Sequence, residues 1–209
     1  GQLGSGGKPS STYHGVTVPC PYRWLEEDVR VSKEVAAWVD EQAKFTEAYL
    51  QSIPERERIK ARLTDLWNYE KYGVPFKEGN RYFYFRNSGL QNQSVLYTVT
   101  GLAAPPKMIL DPNTLSGDGT VAVSGTQVSP DGNRLAYSIS ASGSDWQEWH
   151  VLDVATGKWK DDVVKWSKWS AASWLPDGSA FFYSAYDPPK EGEDLSGVNE
   201  YQKLYLHRV

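Results

Sequence analysis

The amino-acid sequence predicts a mainly β fold behind a short helical segment, and three observations carry that expectation. An acid–glycine turn followed by a strand-forming run occurs in "SPDGNRLAYSIS" (129–140) and again in "LPDGSAFFYSAY" (175–186), with a weaker copy in "FKEGNRYFYFRN" (76–87). The two clear copies stand about 46 residues apart, within the ~40–50 residues that one four-stranded propeller blade occupies. Apolar residues follow helical spacing before about residue 73 and alternate after it.

Taken in order, "GQLGSGGKPSST" (1–12) is rich in Gly and Ser without hydrophobic periodicity, so residues 1–13 are expected to be a flexible leader. Residues 14–72 form the helical segment. From Ser32 to about Ile53, Val35, Trp38, Val39, Phe45 and Tyr49 fall mostly on one helical face, with Ser32 as N-cap. Pro54 occupies the place of a first-turn proline, and Ile59, Leu63, Leu66 and Trp67 mark one face of a second helix. Its charge run "ERERIKAR" nearly cancels, which reads as a solvated face and not a basic patch.

Residues 73–209 read as strands without intervening helices: "RYFYF", "SVLYTV", "KMIL", "VAVSGTQV", "RLAYSIS", "WQEWHVLDV", "SAASWL", "AFFYSAY" and "KLYLHRV". Each acid–glycine turn opens the second strand of a unit, because glycine supplies φ > 0 and the acid caps the turn backbone. The strands amount to about two and a half blades, whereas a propeller closes with at least four. The sequence therefore predicts an incomplete β-propeller and an N-terminal piece of a larger protein.

Nine Trp and thirteen Tyr supply ample apolar area for a core. A formal net charge of −4 lacks the basic surplus that neutralises phosphates, which argues against nucleic acid and anionic membrane surfaces as partners. No apolar run approaches the roughly 20 residues that span a bilayer, and no signal-peptide core is present. A cytoplasmic protein is expected, or a periplasmic one after signal removal. Cys20 is the single cysteine, so no intrachain disulfide can form.

Catalytic signatures are absent from the sequence. No serine carries the G-x-S-x-G elbow, His14, His150 and His207 have no Ser or Cys signature beside them, and Asp161 and Asp162 alternate to opposite faces of a strand. No phosphate loop, dinucleotide fingerprint or metal-ligand spacing appears, so neither cofactor nor metal is expected. The tryptophans between Trp146 and Trp174 are better read as packing between blades than as a sugar-stacking surface. Asp145, in the "SGSDW" loop, reads from spacing alone as the cap of its own turn.

The strings "HGVTVPCPYRWLEE", "ERIKARLTDLWNYEKYGVPFKEGNRYFYFRNSGLQNQSVLY", "LDPNTLSGDGTVAV" and "LAYSISASGSDW" resemble the prolyl oligopeptidases, serine peptidases that cleave short peptides after proline. The resemblance runs from about residue 14 to the last residue. It departs at Cys20, where that family usually has aspartate, and in the Trp-rich "VKWSKWSAASW". It implies a seven-bladed propeller covering an α/β-hydrolase domain, with the helical segment packed on the latter. The serine, aspartate and histidine of the triad would then lie beyond Val209, leaving this chain inactive alone within a monomeric, proline-specific endopeptidase whose propeller gates access for short peptides.

The resemblance also implies two site residues. Asp145 matches a propeller aspartate that pairs with a substrate-binding arginine of the hydrolase domain, and Trp169 stands where the family has a phenylalanine lining the substrate cavity. Packing within a blade is the competing role for Trp169. The alternative for the whole chain is a stand-alone binding module without catalysis, against which the exposed strand edge of "KLYLHRV" argues.

Overall fold

The computed structural model describes residues 9–101 and 103–209, which fall into two compact units, one ending at Leu63 and the other beginning at Thr64. Gly1–Lys8, the greater part of the expected leader, lie outside the described residues. Ser10–Tyr13, placed in that leader by composition, instead forms a strand, β1, that pairs antiparallel with β2 (Val16–Pro19). Their register puts Tyr13 opposite Val16. The loop is thus only His14 and Gly15, both at positive φ as the tightest hairpins require.

A 3-10 turn at Arg23–Glu26 follows, then helix α1 (Lys33–Gln51). Ser32 caps α1 as its sequence predicts, its hydroxyl accepting from Val35 N–H at 3.4 Å. Trp24 sets its ring edge-on to Trp38, centroids 6.0 Å apart. Helix α2 spans Arg56–Trp67. Pro54 lies in the turn that precedes α2 and not in its first turn, since the helix starts two residues later. No helix among the described residues is long and apolar enough to cross a membrane.

Three antiparallel sheets follow. The first holds β3 (Lys71–Tyr72), β4 (Phe76–Glu78), β5 (Arg81–Asn87), β6 (Val95–Val99) and β7 (Lys107–Leu110). Both β3 and β4 pair with β5, and Gly73 N–H keeps the ladder with Phe85 O at 2.8 Å. Pro75, which has no N–H to donate, sits where that strand is interrupted. The second sheet has the order β11–β10–β9–β8, from β8 (Val121–Val128), β9 (Arg134–Ala141), β10 (Gln147–Asp153) and β11 (Trp159–Ser167). The third holds β12 (Ser173–Trp174), β13 (Ala180–Ala185) and β14 (Lys203–Arg208).

The repeated phrase occupies the same register in each sheet. Tyr84 faces Tyr97, Tyr137 faces His150 and Tyr183 faces Tyr205 across the second and third strands. All three pairs stack, with centroids 5.6, 5.4 and 5.5 Å apart. One core joins Phe83, Leu96 and Leu110 of the first sheet to Leu135, Tyr137 and Leu152 of the second. Another joins Ala136, Trp149 and Val151 to Phe181 of the third. Alternate residues of β9 thus serve opposite interfaces, Leu135 and Tyr137 backward and Ala136 forward, as a strand buried on both faces must.

The acid–glycine turns of neighbouring sheets lie against one another. A Cβ on Gly79 would stand 2.2 Å from Asp131 O, and one on Gly132 would stand 2.6 Å from Glu78 O. Both glycines also take positive φ. Arg134 Nη1 donates to Gly178 O at 2.5 Å, tying the second turn to the third. Turn shape and sheet-to-sheet approach therefore make the same demand for glycine. At the opposite end, Gln93 of the first sheet's loop accepts from Val123 N–H and donates to Val121 O, bridging to β8.

Candidate functional site

Antiparallel pairing sends the acid–glycine turns to one end of the sheets and three irregular segments to the other: the β9–β10 loop, the β11–β12 loop and the long β13–β14 loop. The first carries Asp145. Its turn is closed by serines: Ser144 Oγ accepts from Trp146 N–H at 3.1 Å, and Ser140 Oγ donates to Ser144 O. Asp145 itself is exposed, and no described residue hydrogen-bonds or ion-pairs with its carboxylate. The capping role that spacing favours for Asp145 belongs to Ser144, because the shorter hydroxyl side chain already occupies the turn amide.

The second segment begins in a bulge. Gln147 pairs with Ser167 but Trp149 pairs with Val164, so β11 carries one extra residue there, and Trp166 takes φ +63°. Ser167 Oγ then donates to Ser184 O at 2.7 Å, Ser170 Oγ accepts from Ser184 N–H at 2.8 Å, and Tyr186 N–H reaches Trp166 O at 2.9 Å. The loop is pinned to β13 on both sides of Lys168 and Trp169. Trp169, at φ +48°, is 72 % exposed. Packing within a blade is not its role here, since the pinned backbone turns its ring outward. A bulky residue at positive φ is a strained conformation that its surroundings must hold.

Lys168 goes the other way and is only 8 % exposed. Its ammonium stands 3.9 Å from the Trp146 ring centroid and 6.0 Å from that of Trp169. Trp146 is wedged edge-on against Trp166 and Tyr186, and its Nε1 donates to Asp194 O of the long acidic loop at 2.5 Å. The expectation that the tryptophans pack between blades thus holds for Trp149 and Trp174, which meet Phe181 in the core. Trp146, Trp166 and Trp169 form a rim cluster around a lysine instead. In the sequence these residues stand together as "WSKWS", with Ser167 and Ser170 flanking Lys168 and Trp169.

The acids at the turn end behave differently. Asp153 Oδ1 accepts from Thr156 N–H at 2.7 Å and from Thr156 Oγ1 at 2.8 Å, which holds its carboxyl below the usual range. Asp177 is held low in the same way by the backbone N–H and hydroxyl of Ser179. No cluster of metal-ligating side chains occurs among the described residues.

Comparison with known proteins places this geometry. Residues 4–209 match the prolyl oligopeptidase N-terminal β-propeller domain. The chain belongs to the prolyl oligopeptidase family. It is 44 % identical over 200 residues to the prolyl endopeptidase of Elizabethkingia meningoseptica, covering 96 % of this chain and 28 % of that protein. Prolyl oligopeptidase A of Amanita bisporigera is 32 % identical, with 96 % of this chain and 29 % of that protein covered. A solved prolyl endopeptidase structure superposes with a TM-score of 0.86 at 30 % identity, over 100 % of this chain and 30 % of the other. Prolyl oligopeptidase B from Galerina marginata, bound to a 25mer macrocyclization substrate, gives 0.83 at 29 %, over 97 % and 31 %. The chain thus spans under a third of the length of these relatives, and its three sheets are a partial propeller of that family.

Proposed function

We propose that this chain is the N-terminal part of a proline-specific serine endopeptidase that hydrolyses short peptides on the carboxyl side of proline, its propeller restricting access to the active site. The observation that carries this reading is the family match, which spans residues 4–209. A stand-alone binding module is the lesser alternative: Leu204, Leu206 and Phe182 leave apolar surface on the outer face of the third sheet, which a free module would expose to aggregation.

Within this reading Asp145 orients a substrate-binding arginine of an α/β-hydrolase domain. A carboxylate free of local partners is available for a bidentate, charge-assisted pair with a guanidinium, which fixes the arginine without touching the scissile bond. Trp169 offers an exposed aromatic wall to the peptide, larger than the phenylalanine of its relatives and hence narrowing. Its neighbours pin the backbone, so the wall is preorganised.

The test is hydrolysis of a Gly-Pro chromogenic peptide by the full-length protein and by the 209-residue chain. Turnover by the full-length protein, abolished by a serine-directed inhibitor, is expected. None is expected from the chain alone, which has no nucleophile elbow. A full-length protein without proline-directed turnover would overturn the reading.

A further inference from the structure

Lys168 is a largely buried cation with no charged partner among the described residues. Its side chain is buried, yet no described residue accepts a hydrogen bond from its ammonium or pairs with it as an ion. The Trp146 ring beneath it supplies a quadrupole but no acceptor. A ring face offsets only part of the cost of drawing an ammonium toward the interior, and its N–H donors, which still reach solvent, are open to a further acceptor. The backbone is also bent to place this side chain, with Trp166 and Trp169 both at positive φ on either side of it. Pinning at Ser167 and Ser170 makes the placement rigid. Asp145, one residue from Trp146, lies beyond ion-pair distance of Lys168, so the two opposite charges of the rim stay separate.

No described residue supplies an acceptor to this ammonium, which stays open to solvent, and a peptide carboxylate reaching it would both accept its N–H bonds and neutralise its charge. We propose that Lys168 is a specificity-determining residue that binds a carboxylate of the peptide substrate, either its free C-terminus or an acidic side chain. The inference rests on the peptidase reading above. The exposed Trp169 ring beside it provides the apolar wall along which the rest of the peptide lies.

The test uses the full-length enzyme and four matched proline peptides: free acid or amide at the C-terminus, and Glu or Gln at one side-chain position. Wild type is expected to favour the carboxylate member of at least one pair by about tenfold in kcat/KM, mainly through KM. K168M keeps the stem and removes the charge, so it should abolish that preference while leaving the neutral peptides within about twofold. K168R should retain most of it. The pair that shows the preference tells a C-terminal carboxylate from a side-chain one. A loss shared equally by all four peptides would assign Lys168 to a contact with a covering domain and overturn the proposal. So would a wild type without any carboxylate preference, a result that needs no folded variant. Absence of proline-directed turnover altogether would instead sink the underlying peptidase reading.

Discussion

The two ends of the second sheet use the same residue types to opposite purposes. At the turn end, Asp131 accepts from Ser129 Oγ at 2.6 Å and from Asn133 N–H at 3.1 Å, glycines take the positive-φ positions, and the turns of adjacent sheets touch. At the loop end, Ser142, Trp166 and Trp169 hold positive φ without being glycine, and Asp145 and Lys168 have no charged partner among the described residues. The charged side chain is consumed internally at one end, and two charged side chains are left without a charged partner among the described residues at the other. Local satisfaction marks scaffold, and strain with unmatched charge marks a surface built for something else.

The sharpest way to break this comparison is Gly132→Ala. The new methyl would meet Glu78 O in a backbone already at φ +75°. Overpacking and the left-handed penalty together should cost about 2–4 kcal/mol. Thermal unfolding of the full-length variant should show a clear drop in midpoint, and an unchanged midpoint would mean that the sheets do not approach through their turns.

Asp145→Ala tests the other end. If the carboxylate orients an arginine, kcat/KM on a short proline peptide should fall by about 10- to 100-fold, equivalent to about 1.5–3 kcal/mol, with the unfolding midpoint unchanged. Asp153→Ala is its counterpart: loss of the Thr156 cap should cost about 1 kcal/mol of stability and leave kcat/KM near wild type. Measured at equal folded fraction, an exchange of these two phenotypes would reverse the assignment of scaffold and site.

The smallest effect expected is on pH. Burial lowers the pKa of His150, helped by Lys165 and opposed by Glu148, while Tyr137 and Trp159 pack on its ring. The folded chain therefore binds the proton less readily than the unfolded one. Stability should be complete above the unfolded value of about 6.5 and decline as pH falls through it. Replacing His150 with Gln should flatten the midpoint-versus-pH curve in that window, and an unaltered slope would place the titrating group elsewhere.

Much of this architecture was legible without coordinates. Period-two alternation, the recurrence of acid–glycine turns and the N-cap at Ser32 are local: each depends on residues a few positions apart, so the sequence alone determined the two helices and most strands of the three sheets, but not the β1–β2 hairpin that composition had placed in a leader. Sequence resemblance likewise pointed to Asp145 and Trp169. Other features were not local. Whether the tryptophans packed or lined a rim depended on a bulge in β11 and on hydrogen bonds to Ser184, which is contributed by the next sheet. The cradle of Lys168 was likewise decided only by the tertiary structure, because it joins Trp146, Trp166 and Tyr186 from three segments, and no local spacing encodes contacts made across two sheets.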